Sequence, residues 1–576
     1  MKKNNNDSKF IDGQQFVADV LASWGITQYS GVTGGGVIHF LKHIAPLNKI
    51  PSSDPGFFTF AEYNAGFMPL GYYLASGKIA AAVATTGAAT KLLSCGLSDA
   101  KYHDIPAVYI VASSGKKTAG FAPLQDTSKY GNNIIEQLNA ELPDSVFFLD
   151  DHATLAKQLS LAKVQLDNSK PVVLVLDNDV LNAPEEGIED LPKNRQQVLD
   201  EEHYDAFISK FRKSVDGKRL VVLVGEEMDR YPHAADLTTR LSTELKATVI
   251  WSMNGGNAVS RENPYGYGYI AFGGNDKALS LYDSLNKDDV LLILGACPDE
   301  YTVALKKFTA SSTFYLGNIQ QAYGMIDNSM QHVAEGDYYQ IHGPLDVLVQ
   351  QLINAAENKP FTNKPAKPAP QNLNDRKIKP PRKGYVNMED FYKHMDEWWP
   401  SKSVIINDVC LAYKDMQYVV QRPNANARLY SLYRGSAMGG AFGISVGAKL
   451  AAPADHVFLF AGDGCFRLFS GSLGEVSEMG LVIFVLNNQT LSIVEQGLEK
   501  VLPDIPHEYY HAVVNDIDYC GVAKACGWDA ERLKPDLSNL DNILAKIKDN
   551  KKRSFLVEIP VDPMQELGMN PRLKNL

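Results

Sequence analysis

Along this chain, short unbroken apolar runs alternate with longer stretches in which apolar residues recur every three or four positions. Ile79–Thr85, Ala107–Ala112 and Pro171–Leu176 read as strands buried on both faces, with amphipathic helices such as Gln14–Trp24 and Glu62–Ser76 among them. The alternation returns after residue 200, where Arg219–Val224, Ala247–Trp251, Val290–Leu294 and Thr313–Leu316 are strand-like. It returns again after residue 385, in Val404–Ile406, His456–Ala461, Leu481–Leu486 and Phe555–Ile559. Apolar strands spaced by helices imply parallel sheets covered on both faces, because a parallel crossover needs a connection long enough for a helix. The fold class expected is α/β, with three doubly wound parallel sheets.

The densest punctuation falls between Asn354 and Gly384, where Pro360, Pro365, Pro368, Pro370, Pro380 and Pro381 stand among Lys and Asn. Such a stretch has little to bury and reads as a semi-extended linker. A second break lies near Asn182–Asp200. The expected domains are therefore residues 1–190, 200–355 and 386–576, with the linker at 356–385.

With 576 residues there is material for several buried cores. The net charge of −11, from 56 Lys+Arg against 67 Asp+Glu, supplies no basic field for a nucleic-acid partner. MKKNNNDSKF lacks the apolar run of a secretory signal, and no apolar stretch has the length of a membrane span, so a cytoplasmic chain with no membrane partner is expected. The six cysteines form no CxxC pair and read as free thiols rather than a zinc site or disulfides.

The richest chemistry lies between His456 and Gln496. One apolar strand ends in Gly462-Asp463-Gly464 and the next in Asn487-Asn488. If the two strands are neighbours, Asp463 and Asn488 meet at their carboxyl ends, where open α/β sheets bind ligands. A carboxylate and an amide oxygen are hard ligands suited to Mg²⁺, which commonly completes its shell with water and phosphate. The glycines admit a phosphate to the backbone, and a helix expected to start near Cys465 offers N–H donors. A Gly-Asp-Gly turn alone is common. The asparagine pair on the next strand is what raises this one to a magnesium–diphosphate site.

Gly-Asp-Gly followed after 22 residues by Asn-Asn resembles the thiamine diphosphate motif of the decarboxylase and carboligase superfamily. That resemblance implies metal ligation by Asp463, Asn488 and the Thr490 carbonyl, with Gly462, Gly464 and Cys465 around the cofactor. Phe58–Gly115 resembles the pyrimidine-binding domain of the same superfamily, whose catalytic glutamate falls on Glu62. There the carboxylate hydrogen-bonds the aminopyrimidine ring and promotes the tautomer that deprotonates the thiazolium. In Arg434–Ala451, RGSAMGGAFGISVGAKLA, the resemblance gives Met438 the place between the cofactor rings and the Ser436 carbonyl the aminopyrimidine bond. The crowd of small residues there reads as room for a ligand. In the superfamily the glutamate and the diphosphate site come from different subunits, which implies a homodimer or homotetramer with active sites at the interface.

Within the superfamily the chain most resembles acetohydroxyacid (acetolactate) synthase-type enzymes. YSGVTGGGVIHF places Gly35 and Gly36 toward substrate, Leu124-Gln125-Asp126 places Gln125 beside cofactor and substrate, and Val494 stands where pyruvate decarboxylases carry a glutamate. The implied reaction is decarboxylation of a 2-oxo acid and transfer of the resulting enamine to an acceptor carbonyl. Non-oxidative decarboxylation to an aldehyde is the alternative in chemistry, and an inactive regulatory paralogue the alternative in class. Glu495, Gly497, Lys91 and Cys410-Leu411-Ala412 depart from the synthase pattern, so donor and acceptor are left open. The central stretch, with LVVLVGEE and DVLLILGACPDE, is Rossmann-like. Gly255-Gly256 and Gly273-Gly274 would admit a flavin (FAD) or an adenine nucleotide, but no GxGxxG follows a strand, so a structural domain is favoured.

Overall fold

A computed structural model of the chain describes residues 11–45, 56–185, 201–270, 272–324, 329–549, 552–570 and 573. The apolar runs pair as expected, into three six-stranded sheets in which every pairing is parallel. Their central strands are almost wholly apolar and buried on both faces, as in Val172–Leu176, Asp289–Leu294 and Leu481–Asn487. The first sheet runs Gly56–Thr59, Gln28–Gly31, Ala81–Ala84, Val108–Ala112, Val172–Leu176, Val146–Leu149. The third runs Ala427–Ser431, Ser403–Asn407, His456–Gly462, Leu481–Asn487, Phe555–Pro560, Asp529–Arg532. Both follow one order, 2-1-3-4-6-5 in their own chain sequence. The central sheet differs. It runs Gly266–Tyr269, Thr248–Trp251, Arg219–Val224, Asp289–Leu294, Ser312–Gly317, Asp337–His342, which is the order 3-2-1-4-5-6 of dinucleotide-binding folds.

Two compact units emerge: residues 1–195 with 442–453, and residues 196–441 with 454–576. The break expected at Asn182–Asp200 lies largely outside the described residues. The proline-rich stretch 359–387 carries no helix or strand but is fastened along its length. Lys364 N–H donates to the Lys218 carbonyl, Leu373 N–H to the Gln421 side chain, and Arg382 pairs with Asp562.

In the first unit, helix Glu62–Ser76 is held by glycine on two sides. A Cβ on Gly66 would lie 2.3 Å from the Leu93 carbonyl of helix Ala88–Tyr102. On the other side a Cβ on Gly443 or Gly447 would come within 2.2 Å of Asn64 O or 2.0 Å of Met68 O. The small residues of 443–447 therefore serve helix-to-helix approach. These two glycines do not make room for a ligand, so the room read from the small residues of 434–451 does not extend to them.

Candidate active site

In the third sheet the first strand in chain order, Ser403–Asn407, has Ala427–Ser431 on one side and His456–Gly462 on the other, so the strand order reverses there. Ligands of open α/β sheets bind in the crevice outside the carboxyl ends at such a reversal. A cavity of about 210 Å³ opens there. Its lining includes Gly462, Asp463, Gly464 and Cys465 from one strand end and Asn488, Thr490 and Val494 from the next. Ser436 and Met438 complete it. Nine of the residues singled out in the sequence thus come together.

Register explains the meeting of Asp463 and Asn488. Gly462 stands level with Leu486 across the parallel pair, so the chain leaves both strands at one height. The Asp463 carboxylate is buried and accepts the backbone N–H groups of Gly464 at 2.8 Å, Asn488 at 3.2 Å and Gln489 at 2.6 Å. Burial pushes its pKa up while those three amides pull it down, and the upward push wins. A cation beside it would reverse the balance. The Asn488 amide oxygen accepts Thr490 N–H at 3.1 Å, closing a turn through Gln489, whose φ is +59°. Asn487 does different work: its amide donates to Glu558 at 2.8 Å and Asp516 at 3.1 Å, fastening neighbouring segments behind the site. The helix starts at Asp463, two residues earlier than expected, so Asp463 itself stands in its first turn.

Gly464 is a cradle. A Cβ there would lie 2.7 Å from Leu491 and 3.3 Å from the Met438 methyl. The segment carrying Met438 bends sharply, with Ser436 at φ +48° and Gly439 at φ +79°. Gly439 N–H donates to both carboxylate oxygens of Asp408 at 3.0 Å. Asp408 was missed in the sequence, although it too ends an apolar strand. Burial raises its pKa to about 7, against the amides of Val409 and Gly439. Unfolded, such a carboxyl ionises near 3.8, so the unfolded state releases its proton first. Stability of the ligand-free protein therefore falls as pH rises from about 4 to about 7, by at most about 4 kcal/mol. Asp408→Asn keeps an acceptor oxygen and removes the titration. Chemical denaturation between pH 4 and 8 should show a flatter dependence in the variant; an unchanged slope would assign it to another group.

Tyr301 and Tyr413 also line the cavity, in an aromatic cluster with Phe272 and Tyr433. Phe272 stacks on Tyr413 at 4.7 Å, and Tyr301 meets Tyr433 at 4.8 Å. No local pattern marks these residues, which join from distant parts of the chain.

In the first unit the remaining expected residues follow the carboxyl ends of the strands. Gly35 and Gly36 come after Gln28–Gly31, and the half-buried Glu62 opens the helix after Gly56–Thr59. Gly36 N–H donates to Thr85 Oγ1 at 3.1 Å, and Gly35 has open space around it. Gln125, at φ +57°, accepts the Thr86 hydroxyl at 2.8 Å. Gly36 and Gln125 are thereby tied to one loop, Thr85-Thr86.

The third-sheet cavity fits a magnesium–diphosphate group. Its donor set is a buried carboxylate with amide and carbonyl oxygens, hard ligands that leave room for phosphate. Among the described residues no cluster of three His, Cys, Asp or Glu side chains is placed to hold a metal. All six cysteines are free thiols. Two buried side chains at this edge, Asn407 and Ser492, have polar atoms with no partner among the described residues, as a site awaiting a polar ligand would.

Residues 11–142 match the N-terminal TPP binding domain of the thiamine pyrophosphate enzymes, and residues 408–559 match their C-terminal TPP binding domain. The chain is 23% identical to the probable acetolactate synthase large subunit of Methanocaldococcus jannaschii, over 98% of this chain and 95% of that protein. It is equally 23% identical to acetolactate synthase isozyme 2 large subunit of Escherichia coli, over 97% of each. A solved structure, the thiamine diphosphate-dependent 4-hydroxybenzoylformate decarboxylase of Rhodococcus jostii RHA1, shares the fold. Its TM-score is 0.72 at 15% identity, covering 96% of this chain and 99% of that one. No helix among the described residues is long and apolar enough to cross a membrane. With a cofactor-binding domain matched on either side of the central sheet, the chain belongs to the thiamine pyrophosphate-dependent enzymes, with acetolactate synthase large subunits among its relatives.

Proposed function

We propose that the protein decarboxylates a 2-oxo acid and joins the remaining acyl unit to an acceptor carbonyl, using thiamine diphosphate and Mg²⁺. The observation that carries this reading is the buried Asp463 at the carboxyl edge of the third sheet, hydrogen-bonded to the Asn488–Thr490 turn with which it lines one cavity. Asp463, the Asn488 amide oxygen and the Thr490 carbonyl would hold the metal, with Gly462, Gly464 and Cys465 beside the diphosphate. Met438 and the Ser436 carbonyl would support the two cofactor rings. When bound, the cofactor supplies a carbanion-stabilising thiazolium. Glu62 would hold a proton against the pyrimidine ring, and Gln125, Gly35, Gly36 and Val494 would border the substrate.

Val494 favours carboligation over simple decarboxylation. It lines the cavity as an apolar side chain, and an apolar group cannot deliver the proton that releases an aldehyde. Beside Gln125, Phe121 and Leu124 are 82% and 91% exposed, apolar surface that suits a subunit interface in a cytoplasmic homodimer or homotetramer. FAD has no role in this reading.

The test is product analysis. With pyruvate and Mg²⁺–thiamine diphosphate, carbon dioxide release should be accompanied by a 2-hydroxyketone or acetohydroxy acid detectable by mass spectrometry. Aldehyde as the sole product, with an acceptor present, would replace carboligation by plain decarboxylation. Absence of cofactor binding by calorimetry would make the chain a regulatory paralogue.

A further inference from the structure

The central sheet has the strand order of a dinucleotide-binding fold, and its reversal lies between Arg219–Val224 and Asp289–Leu294. A nucleotide pyrophosphate would enter between the loops that follow these strands. Here the loops close on each other: a Cβ on Gly225 would lie 2.1 Å from Ala296 Cα and 2.2 Å from the Gly295 carbonyl. The glycines that could admit a nucleotide meet protein instead. A Cβ on Gly255 would strike Val224 O at 2.3 Å, one on Gly256 the Tyr269 ring at 2.9 Å, and one on Gly273 the Lys414 carbonyl at 2.2 Å.

The charge is also wrong for an anion. Glu226, Glu227 and Asp229 follow the first strand, and Asp299 follows the fourth. Three of these carboxylates receive groups from the third sheet's edge. Arg434, with its side chain 4% exposed, places one guanidinium nitrogen 2.5 Å from Glu226 and donates from Nε to Asp299 at 2.6 Å. Arg428 donates to Asp229 at 2.8 Å, and the Tyr430 hydroxyl donates to the same carboxylate at 2.7 Å. Asn254 takes the Ser431 backbone in both directions, at 2.9 and 3.0 Å. Asp299 has a further task, because its other oxygen caps the short helix that carries Tyr301 into the cavity wall.

We propose that the nucleotide crevice of the central sheet has become an acidic socket for the edge strand 427–431, and that Arg434 positions the Ser436–Met438 segment from it. Arg434 stands two residues before Ser436 and four before Met438. Held by two partly buried carboxylates from different loops, it fixes where that segment leaves the strand and ties it to the Tyr301 wall. Arg434 is a positioning residue and touches no reacting atom. A flavin or adenine nucleotide is excluded from this crevice by backbone contact and by charge. Only the consequence for cofactor binding rests on the thiamine diphosphate reading.

Two variants test this: Arg434→Met, and the triple variant Arg434→Met/Glu226→Gln/Asp299→Asn, which leaves no buried charge unpaired and guards against a folding failure. In the ligand-free protein, amide hydrogen exchange at 435–439 should rise about tenfold or more in either variant, with strand Leu481–Asn487 unchanged. The half-saturating thiamine diphosphate concentration should rise about tenfold, with kcat at saturation held within about twofold. Wild-type protection at 435–439 in the variants would overturn the positioning role. So would a fall in kcat with unchanged cofactor affinity. Stoichiometric binding of FAD or ADP by the wild type would overturn the socket. The exchange measurement decides the matter even if the protein binds no thiamine diphosphate, which would count against the proposed function alone.

Discussion

Asp463→Ala is expected to abolish magnesium-dependent retention of thiamine diphosphate, weakening it at least about 100-fold, or about 3 kcal/mol. Among the described residues Asp463 is the only charged side chain lining the cavity, and it is the group that would draw in and hold a divalent cation. Its three backbone donors fix the carboxylate at the tips of two neighbouring strands, and the site is therefore built before ligand arrives. Alanine also leaves those donors without an acceptor, at about 1–3 kcal/mol for an unmet buried group, so lost retention could reflect a disturbed loop. Asp463→Asn separates the effects. It keeps one acceptor oxygen and removes only the charge, and should lose retention almost as completely while melting near the wild type. Cofactor titrations with and without Mg²⁺ read both variants. Retention equal to wild type in either would move the metal site elsewhere.

How far the sequence reveals this architecture follows from burial. Apart from Gln28–Gly31, strands in the middle of the three sheets are largely apolar runs, and every one read in the sequence is found within a residue or two of its expected bounds. Among the described residues, the seven strands of the three six-stranded sheets that escaped notice include all six sheet edges. Gly266–Tyr269, Asp337–His342, Ala427–Ser431 and Asp529–Arg532 are short and mix polar with apolar residues, because an edge strand is covered less fully than a central one. The loss matters here, since Ala427–Ser431 is the strand that docks on the acidic socket. Site residues were legible where glycine and a polar ligand type adjoin the end of an apolar run, as at Asp463 and Asn488. Asp408 lacks flanking glycines and was passed over, although its carboxylate holds Gly439. Tyr301 and Tyr413 were beyond reach for a different reason: their meeting depends on how the central and third sheets dock, which no local pattern encodes.

Glu62→Gln is expected to leave cofactor binding nearly intact and to lower turnover about 10²–10⁴-fold, the range for loss of a positioned acid–base group. The helix that Glu62 opens is fixed by backbone contacts at Gly66, Gly443 and Gly447, none of which the substitution touches. Glutamine matches glutamate in size and can still hydrogen-bond a ring nitrogen, but it cannot hold or pass on a proton at physiological pH. Binding and turnover should therefore separate, and wild-type turnover in this variant would remove Glu62 from the mechanism. The same variant tests the subunit arrangement. If Glu62 of one subunit serves Asp463 of another, mixing inactive Glu62→Gln and Asp463→Ala chains and allowing exchange should regenerate intact sites. In a dimer about a quarter of all sites would then carry both wild-type residues. Sites built within one chain would each keep a defect, and the mixture would stay as inactive as its parts. Recovery on mixing, read with the product assay, distinguishes the two arrangements without a structure of the assembly.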